Sequence, residues 1–349
     1  MEKLLSVVIP VYKVEKYIDK CISSLIVPDE KQLQLLDVVI INDGTPDNSA
    51  IIAKGYEKKY PGIIRVIDQE NRGHGGALNH GTELAVGKYL FYLDSDDWFD
   101  TAEFSKLITY LGKVDVDLVM INFQIYHAAD DQYIHVNRRQ EFVPDKVYDA
   151  DTFDWMATKH GWNMAFMPDT IYRTAMMQRY LPLFCEHVIH DDGSLQVVPI
   201  AIAKNLVYTP LDIYRYYIGR PGQSIDPQRQ AEHAADCVTK VHKFVLDWLR
   251  RNRDAYPKGG TREAYIEDSY QELGTWHYYE LAKYPEPIAI PRLKAWDTFL
   301  RENYPDIRPD AKVIWYRILP AHVFIAGIKW YYAYVQRGID YIKRKIGIR

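Results

Sequence analysis

KYLFYLDSDD, residues 88–97, is the stretch whose reading decides the fold. An uncharged run, Tyr89 to Leu93, stops abruptly at Asp94-Ser95-Asp96-Asp97. A short apolar run bounded by polar residues reads as a strand buried on both faces, the kind found inside parallel sheets. Ligands of such sheets sit beyond the carboxyl ends of the strands, which is where these acids fall. Close carboxylates repel unless a cation or hydrogen-bond donors lie between them. Oxygen donors without Cys or His suit Mg²⁺ or Mn²⁺, an ion that can hold a phosphate leaving group. A turn followed by a helix N-cap is the ordinary alternative, since Asp favours both. On this motif alone the two readings stand level.

Working outward, SVVIPVY (6–12), VVIIND (38–43) and IIRVIDQ (63–69) read as strands upstream, and DLVMINFQIYH (117–127) as one downstream. Helical stretches separate them. Tyr17, Cys21, Ser24 and Leu25 fall at helical spacing, Pro46 and Asp47 open a polar helix to Tyr60, and a further helix lies near 101–111. NRGHGGALNHG (71–81) is a Gly-rich turn that opens a helix stopping at Gly87. This alternation predicts an α/β, Rossmann-like, mostly parallel sheet with helices on both faces. After residue 125 the pattern loosens. The expectations are a polar hairpin or loop at 126–150, helices around 151–159 and 170–180, a helix over 190–203, a strand or strand pair at 207–219, and a helical extension to the end. The boundary is set at 222–227, giving one domain over 1–225, with halves 1–125 and 126–225, and a helical region over 226–349.

Composition narrows the function. Of 349 residues 48% are hydrophobic and 26% charged, which excludes a disordered or collagen-like chain. Lys and Arg total 43 against 47 acids, so no basic field argues for nucleic acid. Cys21, Cys185 and Cys237 are far apart and without CxxC spacing. They fit a reducing cytosol and neither a disulfide framework nor a cysteine zinc site. MEKLLSVVIPVY has too short an apolar core for a signal peptide. The charge-free run Ile318 to Ile328 is too short for the roughly 20 residues a bilayer crossing needs.

Three other motifs carry chemistry. Asp43 in IINDGTPDNS follows a strand and could accept hydrogen bonds from a base or ribose, although Asn-Asp-Gly is equally an ordinary turn. The Gly-rich 71–81 could offer backbone amides, and Arg72, to a phosphate. It is no dinucleotide fingerprint, because Leu78 replaces the last glycine and PVYKVEKY has none. His74 and His80 read as polar loop or helix residues rather than metal ligands. HDDGSL (190–195) opens a helix with two acids, one of which could be a general base, capping being the alternative.

Taken in order and at their spacing, SVVIPVYKVEKYIDKCISSL, VVIINDGTPDNS, ENRGHGGALNHG and GKYLFYLDSDDWF resemble the N-terminal half of the family 2 glycosyltransferases. The resemblance is strong over about 4–125 and continues weakly through HDDGSL and YRYYIGRPGQSI to about 225. It implies a GT-A fold, a nucleotide-binding half joined to an acceptor half. It implies that Pro10 and Tyr12 line the nucleoside, that Asp43 contacts the base, and that Arg72 and Gly73 cover the nucleotide. Asp94-Ser95-Asp96 matches the family's DxD, with Asp96 on the metal, Mn²⁺ or Mg²⁺, and Asp94 on the ribose side of the donor. Asp192 matches the second acid of the pair that supplies the catalytic base. Here that pair is Asp191-Asp192, which leaves the choice of base between them open. Trp98, Arg220 and Gln223 are assigned to the acceptor side or a lid, RPGQSI being equally readable as a hinge. The Gln-x-x-Arg-Trp signature of processive synthases is absent, so the resemblance implies inverting transfer of one sugar from a nucleotide-sugar, most commonly a UDP-sugar, to a saccharide or lipid-linked saccharide in bacterial surface glycan synthesis. A non-catalytic binding protein on the same fold and a nucleotidyltransferase are the competing functions. The latter would carry a Gly-rich basic loop after the first strand.

At the end of the chain Tyr331, Val335, Ile339, Ile342 and Ile346 recur at spacings of four and three, on one face of a predicted helix. Lys329, Arg337, Lys343, Arg344 and Lys345 lie mostly off it, and Trp330 flanks it. Such a helix can lie in the headgroups of anionic lipid at the inner face of the cell membrane. A packed terminal helix or a contact in a homo-oligomer would use the same stripe.

Overall fold

The computed structural model describes residues 2–137, 141–157, 166–189, 191–219, 231–308 and 310–331. The chain divides into two compact units, Met1–Pro227 with Arg251–Ile266, and Gln228–Arg250 with Glu267–Arg349. In chain order the first unit contains β1 (Leu5–Val11), α1 (Ile18–Ser23), α2 (Glu30–Gln34), β2 (Leu36–Asn42), α3 (Ser49–Lys59), β3 (Ile64–Asp68), α4 (Gly73–Leu84), β4 (Tyr89–Tyr92), β5 (Trp98–Phe99) and α5 (Thr101–Leu111). It continues with β6 (Leu118–His127), β7 (Gln132–Val136), β8 (Val147–Asp149), β9 (Thr170–Arg173), α6 (Thr174–Gln178), α7 (Val198–Ile202) and β10 (Asn205–Ile218).

The strands form one sheet in the order β3-β2-β1-β4-β9-β6-β10-β5, with β7 on β6 and β8 on β10. Strands β3, β2, β1 and β4 are parallel neighbours, with Leu5 opposite Leu36 on one side and Tyr89 on the other. Every residue of β1 is buried, as a doubly covered strand requires. Burying one such Val or Ile side chain contributes roughly 1.5–3 kcal/mol. Among these apolar residues the buried Asp37 is paired, accepting from Ser6 Oγ at 2.7 Å and Arg65 Nε at 2.8 Å. A buried charge is tolerable only with such partners.

The chain is thus a mixed α/β fold with a curled, mostly parallel sheet, as the strand–helix alternation predicts. Differences fall in the second half. The helix expected at 170–180 begins instead as β9, antiparallel between β4 and β6. Thr170–Arg173 is a β-branched and aromatic run too short for periodicity to separate strand from helix. Residues 151–157 form turns rather than a helix, and the helix expected at 190–203 is a 3₁₀ turn, Asp191–Gln196, followed by α7. The stretch at 207–219 is one long strand, bulged near Tyr208–Tyr214, pairing in parallel with β6.

The second unit holds α8 (Ala231–Arg251) up to Arg250, α9 (Gly260–Ala282) from Glu267 onward, α10 (Glu286–Asn303), α11 (Ala311–Ile318) and α12 (Ala321–Trp330). Its core holds Trp248, Trp296, Tyr278 and Tyr304. The polar ends of these rings are satisfied, Trp296 Nε1 donating to Gly274 O at 2.9 Å and Tyr278 to Asp297 at 2.6 Å. Among the described residues no helix is long and apolar enough to cross a membrane.

Candidate active site

The loop after β4 is held from both sides. Leu93 N–H donates to Val8 O at 3.0 Å, which keeps the strand end beside β1. Asp94 N–H donates to the Tyr214 hydroxyl, which donates in turn to Asp97 Oδ2 at 2.6 Å. Tyr217 N–H donates to Asp97 Oδ1 at 2.7 Å. Asp97 is therefore a buried anchor onto β10. Burial, then the charges of Asp96 and Asp94, holds its carboxyl well above the usual range. Ser95 is buried, while Asp94 and Asp96 are half-buried. Tyr216, on the same strand, also feels the acids. Burial comes first, then Asp94, Asp97, Asp192 and Asp96, in raising its hydroxyl.

The Gly-rich segment connects this loop to the acid pair. Arg72 precedes α4, and its backbone N–H donates to Asp43 Oδ1 at 2.7 Å, which also accepts from Gln69 Nε2 at 2.7 Å. The Arg72 guanidinium pairs with Glu186. One turn on, His74 Nε2 lies 2.8 Å from Asp94 Oδ1, and His74 Nδ1 lies 3.0 Å from both carboxylate oxygens of Asp191. Ionised carboxylates only accept, so both ring nitrogens carry hydrogen. Burial opposes that charge, but Asp191 and Asp94 outweigh it and hold His74 well above the ordinary histidine value.

The approach depends on glycine. Gly73 has a φ of +76° and lies against the backbone of His187. A Cβ on Gly75 would collide with the Cys185 carbonyl and lie 2.6 Å from Asp191 Oδ2. Asn79 completes the clamp. Its Nδ2 donates to Phe184 O at 2.9 Å, and its Oδ1 accepts from Leu183 and Phe184 N–H at 2.9 and 3.1 Å. Helix α4 thereby sets the segment that leads to the acids. Asp191 is buried and Asp192 half-buried. Burial, then the Asp191 charge, pushes Asp192 up to about 6, with His74 pulling the other way.

The expected site residues fall into groups. Asp94, Asp191 and Asp192 share one electrostatic neighbourhood around His74, and Asp43 is tied to Arg72 at the other end of the same turn. Pro10 is buried opposite Ile41 in β1, and Tyr12, just past the strand, is 43% exposed. Trp98 lies in β5 under the Lys20 ammonium, 3.0 Å from the ring centroid, and against Tyr126 and Tyr217. Arg220 and Gln223 lie outside the described residues. Sequence reasoning noted His-Gly-Gly at 74–76 only as a departure bearing on donor or acceptor choice, and missed Asn79, Glu186 and Tyr216 as members of this site. The signal for His74 and Asn79 was present, as polar side chains set among the Gly, Ala and Leu of the first half of α4.

Asp94 and Asp96 are hard oxygen donors, the chemistry that Mg²⁺ or Mn²⁺ takes. Among the described residues no cluster of three or more His, Cys, Asp or Glu side chains could hold an ion alone. The pair therefore fits a cation that completes its shell with phosphate oxygens and water, the usual habit of Mg²⁺.

Residues 6–173 match the family model described as glycosyl transferase family 2. The Bacillus subtilis uncharacterized glycosyltransferase EpsJ is 36% identical over 39% of this chain and 38% of its own length. The putative glycosyltransferase EpsH of the same organism is 28% identical over 61% of each. The chain thus spans less than two thirds of either relative. Among solved structures, S. aureus TarS 1–349 in complex with UDP-GlcNAc superposes with a TM-score of 0.52 at 16% identity, covering 86% of this chain and 92% of that one. That likeness is one of fold, the GT-A fold. The Asp191-Asp192 pair lies beyond the family match.

Proposed function

Residues 6–173 belong to glycosyl transferase family 2, and from that premise we propose that this protein transfers a single sugar from a UDP-sugar to an acceptor hydroxyl with inversion at C1. The observation that carries the reading is the convergence of Asp94, from the end of β4, and Asp191, the neighbour of Asp192, on one imidazole. Donor-side and base-side acids meet there, as a displacement across one carbon requires. Asp43 keeps one carboxylate oxygen, Oδ2, that accepts no hydrogen bond among the described residues, and is the contact for the base. Pro10 and the exposed Tyr12 ring flank the nucleoside, and Arg72 and Gly73 cover it.

Asp192 is the base. Its carboxylate takes the acceptor O–H proton, the freed lone pair of that oxygen forms the bond to C1, and the bond from C1 to phosphate breaks with its electrons on the diphosphate. Its raised value of about 6 suits a proton acceptor that works near neutrality. Asp96 and Asp94 would hold Mn²⁺ or Mg²⁺, which supplies positive charge to the departing diphosphate. The acceptor reading is a saccharide or lipid-linked saccharide of a surface glycan, with attachment at an anionic membrane surface. Trp315, Ile318 and Trp330 are exposed on α11 and α12 and support that attachment. Of the terminal stripe only Tyr331 lies within the described residues.

The test is incubation with UDP-, GDP- and dTDP-sugars, with and without Mn²⁺, reading sugar transfer and slow donor hydrolysis. Turnover of a UDP-sugar that is abolished in Asp192→Asn supports the reading. Binding without turnover would make the protein a non-catalytic member of its fold.

A further inference from the structure

The two acids after residue 190 are adjacent in sequence but not equivalent in space. Asp191 is buried with both carboxylate oxygens 3.0 Å from His74 Nδ1. Gly75 brings α4 close enough to hold it there, since any side chain at that position would press on Asp191 Oδ2. The opposite ring nitrogen is on Asp94 Oδ1. An imidazole is rigid and its two nitrogens face apart, so the ring sets the separation and direction of both carboxylates. Asp192, half-buried beside them, makes no such contact with the ring.

We propose that His74 is a positioning residue that braces Asp94 of the donor loop against Asp191, and by committing Asp191 to this contact leaves Asp192 as the base. This rests on the transferase reading above and goes beyond it, because it assigns different duties to the paired acids and a duty to a histidine that no motif supplied. Asp191 then acts through geometry alone, and the distance from donor loop to base is set by one side chain on α4. Hydrogen-bonding partners that orient a reactive group typically cost 10–100-fold in activity when removed.

The experiment is a double-mutant cycle on the full chain with His74→Ala, Asp191→Asn and the pair, Asp192→Asn as a separate arm, and His74→Gln as a milder variant. Hydrolysis of a UDP-sugar, with water as acceptor, gives kcat and donor KM, and calorimetry with UDP and MnCl₂ gives nucleotide affinity. The expected result is a kcat loss of about 10–100-fold in His74→Ala, with a smaller change in donor KM and UDP affinity. Asp191→Asn should lose as much, and the pair no more than either alone. His74→Gln, able to hold one acid but not both, should fall between, and added imidazole should restore part of the rate to His74→Ala alone. A full-rate His74→Ala, additive losses, or a loss confined to KM or UDP affinity overturns the proposal while the transferase reading stands. An Asp192→Asn protein at full rate overturns the transferase base, and this proposal with it.

Discussion

Among the described residues, histidine rings at two places are shifted in opposite directions. His74 is flanked by Asp191 and Asp94 and held well above the ordinary value. In the helical unit His242 and His277 face each other, ring centroids 4.7 Å apart, with Trp296 against both. There burial pushes His242 down to about 4, and burial with the charges of His242 and Lys243 drives His277 well below the ordinary range. Thr239 donates to Ala235 O and so accepts from His277 Nε2 at 2.8 Å, as a neutral ring allows. Desolvation acts on all three rings. Two carboxylates reverse its outcome, and an aromatic neighbour with a second histidine does not. The first arrangement holds a ring between two carboxylates, while the second packs a ring pair against an aromatic neighbour.

The sharpest way to break the charged side is to remove the base. Asp192→Asn should lose transfer by roughly a hundredfold or more while UDP binding, read by calorimetry, persists. Next is the close approach itself. Gly75→Ala should lower both the thermal midpoint and the transfer rate, because the new Cβ meets the Cys185 carbonyl and Asp191. An unchanged midpoint would mean the clamp yields freely. A smaller effect is expected from pH. With Asp192 as the proposed base, raised to about 6, kcat/KM should rise about tenfold per pH unit below that value and flatten above it.

The neutral side sharpens the contrast through stability. The folded values of His242 and His277 lie below the unfolded value of about 6.5, so below that pH the unfolded chain binds more protons. Their contribution is present above about 6.5 and is lost as pH falls toward the folded values. His74 has the opposite sign, contributing below about 6.5 and losing that contribution as pH rises through its raised value. Thermal unfolding followed from neutral to mildly acid pH should show a midpoint that falls more steeply in the wild type than in His277→Gln, the raised carboxyls of Asp97 and Asp192 opposing the fall in both. An equal slope would mean the pair is already charged when folded. The smallest effect expected is at the exposed face of α11 and α12, where Trp315→Ser with Trp330→Ser should reduce sedimentation with anionic liposomes without changing hydrolysis of the donor.

Strands β1, β2, β3, β4 and β6 were legible because each is a short run rich in β-branched or aromatic residues between turn residues. Strand β9 was not, because Thr170–Arg173 is four residues long and owes its state to the gap between β4 and β6. The same division runs through the site. Asp94, Asp96 and the acid pair stood out as carboxylates concentrated at the ends of elements. Nothing local showed that Tyr214 would tie down Asp97, or that the Arg72 guanidinium would meet Glu186, 114 residues away.

The sequence by itself determined the parallel order of elements and which acids lie at strand and helix ends, because these follow from hydrophobic period and turn chemistry within a few residues. Only the tertiary structure decided which acid each donor meets and what charge each histidine carries. Those depend on distances between segments far apart in the chain. His74 and His277 have the same side chain, and their protonation is set by whether folding brings carboxylates or rings against it.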